Sequence, residues 1–194
     1  MKIYDISQEL TTCAVYPGDK HPEKEQVYSM EKGDLYNLTN ISLCTHNGTH
    51  VDAPCHFIKN GDSIDNIPLE KFIGPCCVVY HEGDFTARHA TELLATVKGE
   101  AAKRILISGK ATVTAGAAKI FAVKSVYLLG NESQTIGPED APMEVHKILL
   151  SQKVVLLEGI KLSDIKPGEY FLSAPPVNIA GSDGAPCRAV LIEF

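Results

Sequence analysis

Four side chains able to bind a metal fall within eleven residues of this 194-residue chain, in the run His46-Asn-Gly-Thr-His50-Val-Asp52-Ala-Pro-Cys-His56-Phe57. Neutral imidazole and carboxylate are the usual ligands of zinc and similar divalent ions. The spacing of His46 and His50 invites comparison with helical zinc proteases, but those carry Glu after the first His. Here Asn47-Gly48 takes that place. A loop is expected instead, with Gly48 letting the backbone fold so that the two rings converge. His50 and Asp52 are two residues apart and on extended backbone point to one side. His50 can serve one ion, and Asp52 is placed to bridge to another whose further ligands come from elsewhere. A polar surface loop would explain any one of these residues; three His and an Asp interleaved with Gly, Thr and Pro point to metal binding.

The elements that must position this run follow from periodicity. Strands are expected at Lys2–Leu10, Tyr36–Cys44, Gly74–Tyr80, Arg104–Ser108, Ser125–Gly130, Lys153–Glu158, Tyr170–Ser173 and Arg188–Phe194. Helical spacing marks Thr86–Val97, Thr114–Phe121 and Pro142–Gln152. Thr11–Pro22, with Tyr16-Pro17-Gly18-Asp19, reads as a loop. Strands first, then alternating strands and helices, predict a single α/β domain over residues 1–194 with a mixed sheet.

A net charge of -6 without a basic stripe argues against nucleic acid as a partner. No apolar run reaches the roughly 20 residues that span a bilayer, and Asp5 and Glu9 are foreign to a signal peptide, so the cytoplasm is expected. The six cysteines include no C-x-x-C pair and read as free, mostly buried thiols. Cys76 and Cys77 are neighbours on a strand and should face opposite sides. His21, His81 and His89 read as ordinary surface histidines.

The uninterrupted run Thr45–Phe57, T-H-x-G-T-H-x-D-A-P-x-H-F, resembles the signature of the cyclase family of metal-dependent hydrolases, which includes bacterial kynurenine formamidases and isatin hydrolases. Asp5-Ile6-Ser7, Tyr16–Asp19, Leu129-Gly130, His146–Leu150, Glu158–Ile160, Pro167–Tyr170 and Gly184–Val190 follow in the family's order. The resemblance implies a swivelling β/β/α fold, assembled as a homodimer or higher homo-oligomer, and a small-molecule substrate. It implies that His46, His50 and Asp52 bind a first metal, that Asp52, His146 and Glu158 hold a second, and that His56 is the general acid and base. Glu158, singled out by the resemblance, ends the apolar run Val154–Leu157, and a carboxylate at the end of a buried strand needs a metal, Lys or Arg as partner. Two zinc ions are implied, with manganese the choice of the isatin hydrolase branch. Such ions lower the pKa of a water toward 7 and polarise a carbonyl. The expected reaction is hydrolysis of an amide or formamide, arylformamidase-like. The alternatives are opening of a cyclic amide or lactone, and a non-catalytic metal-binding or ligand-binding protein on the same scaffold. His56 argues for catalysis, since a protein that only binds metal has no use for a further, non-ligating imidazole. Tyr16 is expected in the substrate pocket, where the formamidase branch has Trp; this chain contains no Trp, and the loop Asn131–Thr135 also departs from the family pattern.

Overall fold

The structure, a computed structural model, describes residues 1–194. The first half carries strands β1 (Lys2–Asp5), β2 (Glu23–Tyr28), β3 (Leu38–Ser42), β4 (His50–Asp52), β5 (Ile73–Tyr80) and β6 (Gly83–Phe85). There follow helix α1 (Ala87–Thr96), β7 (Arg104–Ser108), β8 (Ala111–Val113), α2 (Ala115–Val123), β9 (Leu128–Asn131) and α3 (Met143–Ser151). The chain ends with β10 (Val155–Glu158), β11 (Gly168–Ser173), β12 (Gly184–Pro186) and β13 (Val190–Glu193).

Nine strands form one mixed sheet in the order β1-β13-β11-β5-β7-β9-β10-β4-β12. The parallel centre, β5, β7, β9 and β10, is built of apolar runs buried on both faces, as parallel strands require. Side-chain alternation sorts these strands into two cores. Val78, Leu106, Leu128, Val155 and Leu157 join Ile6, Phe72 and Leu191 on one face of the curled sheet. Cys77, Ile105, Ile107, Leu129 and Leu156 pack against Ala90, Phe121 and Leu149 of the three helices on the other. Cys76 and Cys77 accordingly point into opposite cores, and all six cysteines are free thiols. This is the expected α/β architecture with a mixed central sheet.

Three local expectations are corrected. The strand foreseen over Lys2–Leu10 stops at Asp5, and a 3-10 turn at Leu10–Thr12 follows, capped by the Glu9 carboxylate, which accepts from the Thr12 backbone. Strand β2 went unforeseen because Glu23–Tyr28 is exposed throughout, so no apolar alternation marks it. It pairs with β3 in a hairpin separate from the main sheet. The histidine-rich run is a loop only as far as Thr49; His50–Asp52 is a strand hydrogen-bonded on both sides.

Candidate metal centre

Strand β4 organises the site. Val51 enters the sheet core, so His50 and Asp52 share the opposite side, as the two-residue spacing requires. On β10, Glu158 sits directly across from His50, and residues in register share a face. Helix α3 buries one side against the sheet and delivers His146 to the same place, with 3 % of its surface exposed. His46 comes from the preceding turn, where Gly48 has φ of +61°; the Asn47 carboxamide accepts from the Cys44 backbone and tightens that turn. His46 and His50 thereby converge, with ring centroids 5.1 Å apart. Gly184 on β12 admits the His46 ring: a Cβ there would lie 2.7 Å from His46 Cε1 and 2.8 Å from the Val51 carbonyl oxygen.

Asp52 lies between two groups of donors. Its Oδ1 is 2.9 Å from His46 Nδ1 and 3.4 Å from His50 Nε2. Its Oδ2 is 3.5 Å from His146 Nε2, is buried, and has no hydrogen-bond partner. Glu158 closes the ring, with Oε2 3.5 Å from His50 Nε2 and Oε1 3.2 Å from His146 Nε2. The Ile136 backbone N–H also donates to Glu158 Oε1 at 2.7 Å. Both carboxylates pair only with histidines, so the Lys or Arg partner considered for Glu158 is not there.

The histidine tautomers show that these residues fit divalent cations. His50 Nδ1 is 3.0 Å from the Gly48 carbonyl oxygen, and His146 Nδ1 is 2.9 Å from that of Pro142. A carbonyl only accepts, so each Nδ1 carries the proton and donates it. Each Nε2 then turns its lone pair toward carboxylate oxygens. Either a second proton or a cation must relieve that repulsion. Without a cation the proton is favoured: burial opposes the charge, yet the neighbouring Asp52 and Glu158 carboxylates overcome it and push both imidazoles up to about 10. Burial likewise opposes ionisation of Asp52, but its histidine partners hold the carboxyl well below the usual range. His46, His50 and Asp52 form one group able to hold an ion, and Asp52, His146 and Glu158 a second. Backbone carbonyls that orient ligating rings through their far nitrogen are the usual support of such sites.

A cavity of about 470 Å³ opens over these groups. His56 and Phe57 wall it, with His56 stacked on His46 at 4.1 Å between centroids and edge-on to Phe57 at 4.4 Å. Burial is the main influence on His56 and lowers its pKa. Tyr16 lines the cavity, and its hydroxyl donates to the Glu139 carbonyl at 2.8 Å. Gln134 and Thr135, from the altered loop after β9, reach the cavity too. His81 and His89 lie elsewhere, one bonded to the Asp84 carbonyl and the other in the capping box of α1; His21 is not part of the cavity wall.

One residue of the site escaped the reading of the sequence. Asp183, immediately before β12, places Oδ2 3.1 Å from His46 Nε2 and 3.3 Å from His56 Nδ1. It is 127 residues from His56 in a stretch without periodicity, so nothing local marked it. Only the register of β12 on β4, with Gly184 opposite Asp52, brings it there.

Known proteins share this arrangement of sequence and fold. The chain is 32 % identical over 212 aligned positions to a kynurenine formamidase of Salinibacter ruber, covering 98 % of this chain and 97 % of that one. It superposes on the structure of a potential metal-dependent hydrolase with cyclase activity with a TM-score of 0.83 at 26 % identity, over 98 % of this chain and 96 % of the other. Isatin hydrolase A of Labrenzia aggregata, at 20 % identity and a TM-score of 0.83 over 100 % and 94 % of the two chains, shares the fold. The pattern of the putative cyclase family matches residues 4–113, which include β4 and the whole histidine-rich run. The donors gathered on β4, β10 and α3 thus stand in a known frame, and the chain belongs to the putative cyclase family.

Proposed function

We propose that this protein is a metal-dependent hydrolase of an N-formyl aromatic amine or a closely related amide, using two ions per chain. The observation that carries the reading is Asp52: each of its oxygens faces a different set of histidine donors, and the inner one has no hydrogen-bond partner. A carboxylate so placed suits a pair of ions held by His46, His50 and Asp52 on one side and Asp52, His146 and Glu158 on the other. Imidazole with carboxylate suits zinc, with manganese the second choice. Bound there, such ions would acidify a water and polarise the carbonyl under attack. The chain's own part is positioning and proton transfer. The cavity is of a size that holds a small molecule, and Phe57 and Tyr16 offer it aromatic faces. His56 takes the proton from the attacking water and returns it to the leaving amine, giving formate and a free aromatic amine. The similarity to a kynurenine formamidase supports a formamide over a cyclic amide as substrate.

No helix is long and apolar enough to cross a membrane. Six free thiols support a reducing cytoplasm as the compartment. A homodimer is part of the proposal: the hairpin of β2 and β3 exposes Met30, Leu35, Tyr36 and Ile41, and a two-stranded ribbon without a core is marginal alone. The test is elemental analysis of protein purified without chelator, then hydrolysis of a panel of N-formyl arenes, cyclic amides and lactones. Two metal equivalents and preferred turnover of formyl arenes are expected. Less than one equivalent after reconstitution, or turnover of ring-opening substrates alone, overturns the reading.

A further inference from the structure

Asp183 is held on every side although half of its side chain is open to the cavity. Its backbone carbonyl accepts from the Ala53 N–H at 2.8 Å, tying it to the end of β4. The preceding Ser182 carbonyl accepts from the Ile64 N–H at 2.9 Å, and the Gly181 N–H donates to Asp65 Oδ1 at 2.9 Å. The Thr45 hydroxyl donates to Asp183 Oδ1 at 3.2 Å, so the carboxylate plane is fixed. The remaining oxygen, Oδ2, receives two ring nitrogens at once: His46 Nε2 at 3.1 Å and His56 Nδ1 at 3.3 Å. These two rings are stacked, with planes 28° apart, so one oxygen can serve both.

We infer that Asp183 is a positioning residue that sets the tautomer of His56. An ionised carboxylate has no proton to give, so a neutral ring that meets no other carboxylate must present an N–H to it. His56 then carries its proton on Nδ1 and leaves Nε2, which has no hydrogen-bond partner in the protein, as the bare nitrogen at the cavity wall. His46 meets a carboxylate with each nitrogen, Asp183 through Nε2 and Asp52 Oδ1 at 2.9 Å through Nδ1, so Asp183 alone does not decide its tautomer. The Asp183 carboxylate thus turns a proposed base toward the substrate. A carboxylate behind a catalytic or ligating imidazole acts in this way in other sites. The consequence for catalysis rests on the reading of His56 as acid and base given above; the tautomer assignment does not.

Two measurements test it. Long-range ¹H–¹⁵N correlation spectra of the metal-free protein at pH 8.5 report the tautomer directly, with the His56 signals identified by their loss in His56→Ala. Wild-type protein should show His56 protonated on Nδ1, and Asp183→Asn should shift it toward Nε2, because the amide can donate to a bare ring nitrogen. Wild-type His56 protonated on Nε2 overturns the inference, and this needs no variant to fold. Kinetics then separate the roles. Asp183→Asn should keep both metal equivalents, lose about 10- to 100-fold in kcat, and change KM less than about threefold; Asp183→Glu should recover part of the loss. In His56→Ala, the further change Asp183→Asn should cost little more, as expected of residues acting as a unit. Loss of a whole metal equivalent in Asp183→Asn makes Asp183 a ligand and overturns the inference. A wild-type kcat in His56→Ala would instead refute the acid and base reading while leaving the tautomer result standing.

Discussion

At the scale of single residues, the proposed labour is divided between groups that hold ions and one that moves protons. His50 is buried, tied through Nδ1 to Gly48, and turned by Nε2 toward both carboxylates. His50→Ala should therefore lose metal and activity together. His56 stacks on the His46 ring, meets Asp183 and stands edge-on to His146 at 6.3 Å, with no nitrogen turned to Asp52 or Glu158, so His56→Ala should keep its metal and lose about a hundred- to ten-thousand-fold in kcat. Metal content beside kcat, measured on both variants, checks this; metal loss in His56→Ala would make it a ligand. On the proposed function, Tyr16 is the residue that bears on substrate choice. Its hydroxyl is committed to the Glu139 carbonyl, which holds the ring against the segment leading into α3. An indole at this position loses that bond and offers a broader apolar face. Tyr16→Trp should improve kcat/KM for N-formylkynurenine relative to a smaller formanilide by about 10-fold or more, within the range that small apolar contacts give. An unchanged ratio of the two constants would show that Phe57 or the loop Gln134-Thr135 governs the choice.

At the scale of elements, the site depends on a three-residue strand. Strand β4 is paired to β10 on one side and β12 on the other, so a slip of one residue would drive Val51 out and both proposed ligands into the core. The short pairing is reinforced by contacts that leave no room for a side chain. Gly184→Ala places a methyl group against the His46 ring and the Val51 carbonyl. The backbone of two paired strands cannot move away cheaply, so the ring must. Metal affinity is expected to fall at least 10-fold, while far-UV circular dichroism stays that of the wild type. Isothermal titration of the metal-free variant checks it, and wild-type affinity would mean that His46 does not need its present orientation.

At the scale of the whole molecule, the buried cluster links stability to pH and metal. In the metal-free protein His50 and His146 have pKa values raised to about 10, against an ordinary value of 6.5 in the unfolded chain. Protonation of these groups therefore favours the folded state. That contribution is fully present below about pH 6.5 and is lost as pH rises toward 10. Metal binding needs the same nitrogens bare, so affinity should rise over that interval. The difference in Tm between loaded and metal-free protein should widen from pH 6.5 to 9.5 in thermal scans; a constant difference would argue that the imidazoles are neutral without metal. The exposed hairpin bears on assembly. Leu35 is 93 % exposed in the same hairpin as exposed Met30, Tyr36 and Ile41, and grouped apolar exposure of this kind marks a contact surface. Met30→Ser with Leu35→Ser should shift the protein toward monomer in light scattering, and a wild-type mass would place the interface elsewhere.

The residues of the first ligand group were legible in the sequence because they are local. Gly48, the two-residue step from His50 to Asp52, and the apolar runs of β5, β7, β9 and β10 each act through backbone periodicity or a single turn. The boundaries of α1, α2 and α3 were equally close to their expected places, since each carries its buried face at helical spacing. His146 and Glu158 were found only through resemblance. A lone histidine on a helix and a lone carboxylate after an apolar run have no local pattern that joins them. Their meeting is a matter of sheet register, with Glu158 opposite His50, and of α3 packing beside β10. Asp183 lay further out of reach, because its position is decided by an antiparallel strand of three residues and by hydrogen bonds to segments over a hundred residues away in sequence. Strand β2 was hidden for the opposite reason: it buries nothing within the chain, so its order comes from pairing with β3 and not from a hydrophobic pattern. Chemistry written in neighbouring residues can be read along the chain; chemistry assembled across strands exists only once the strands are paired.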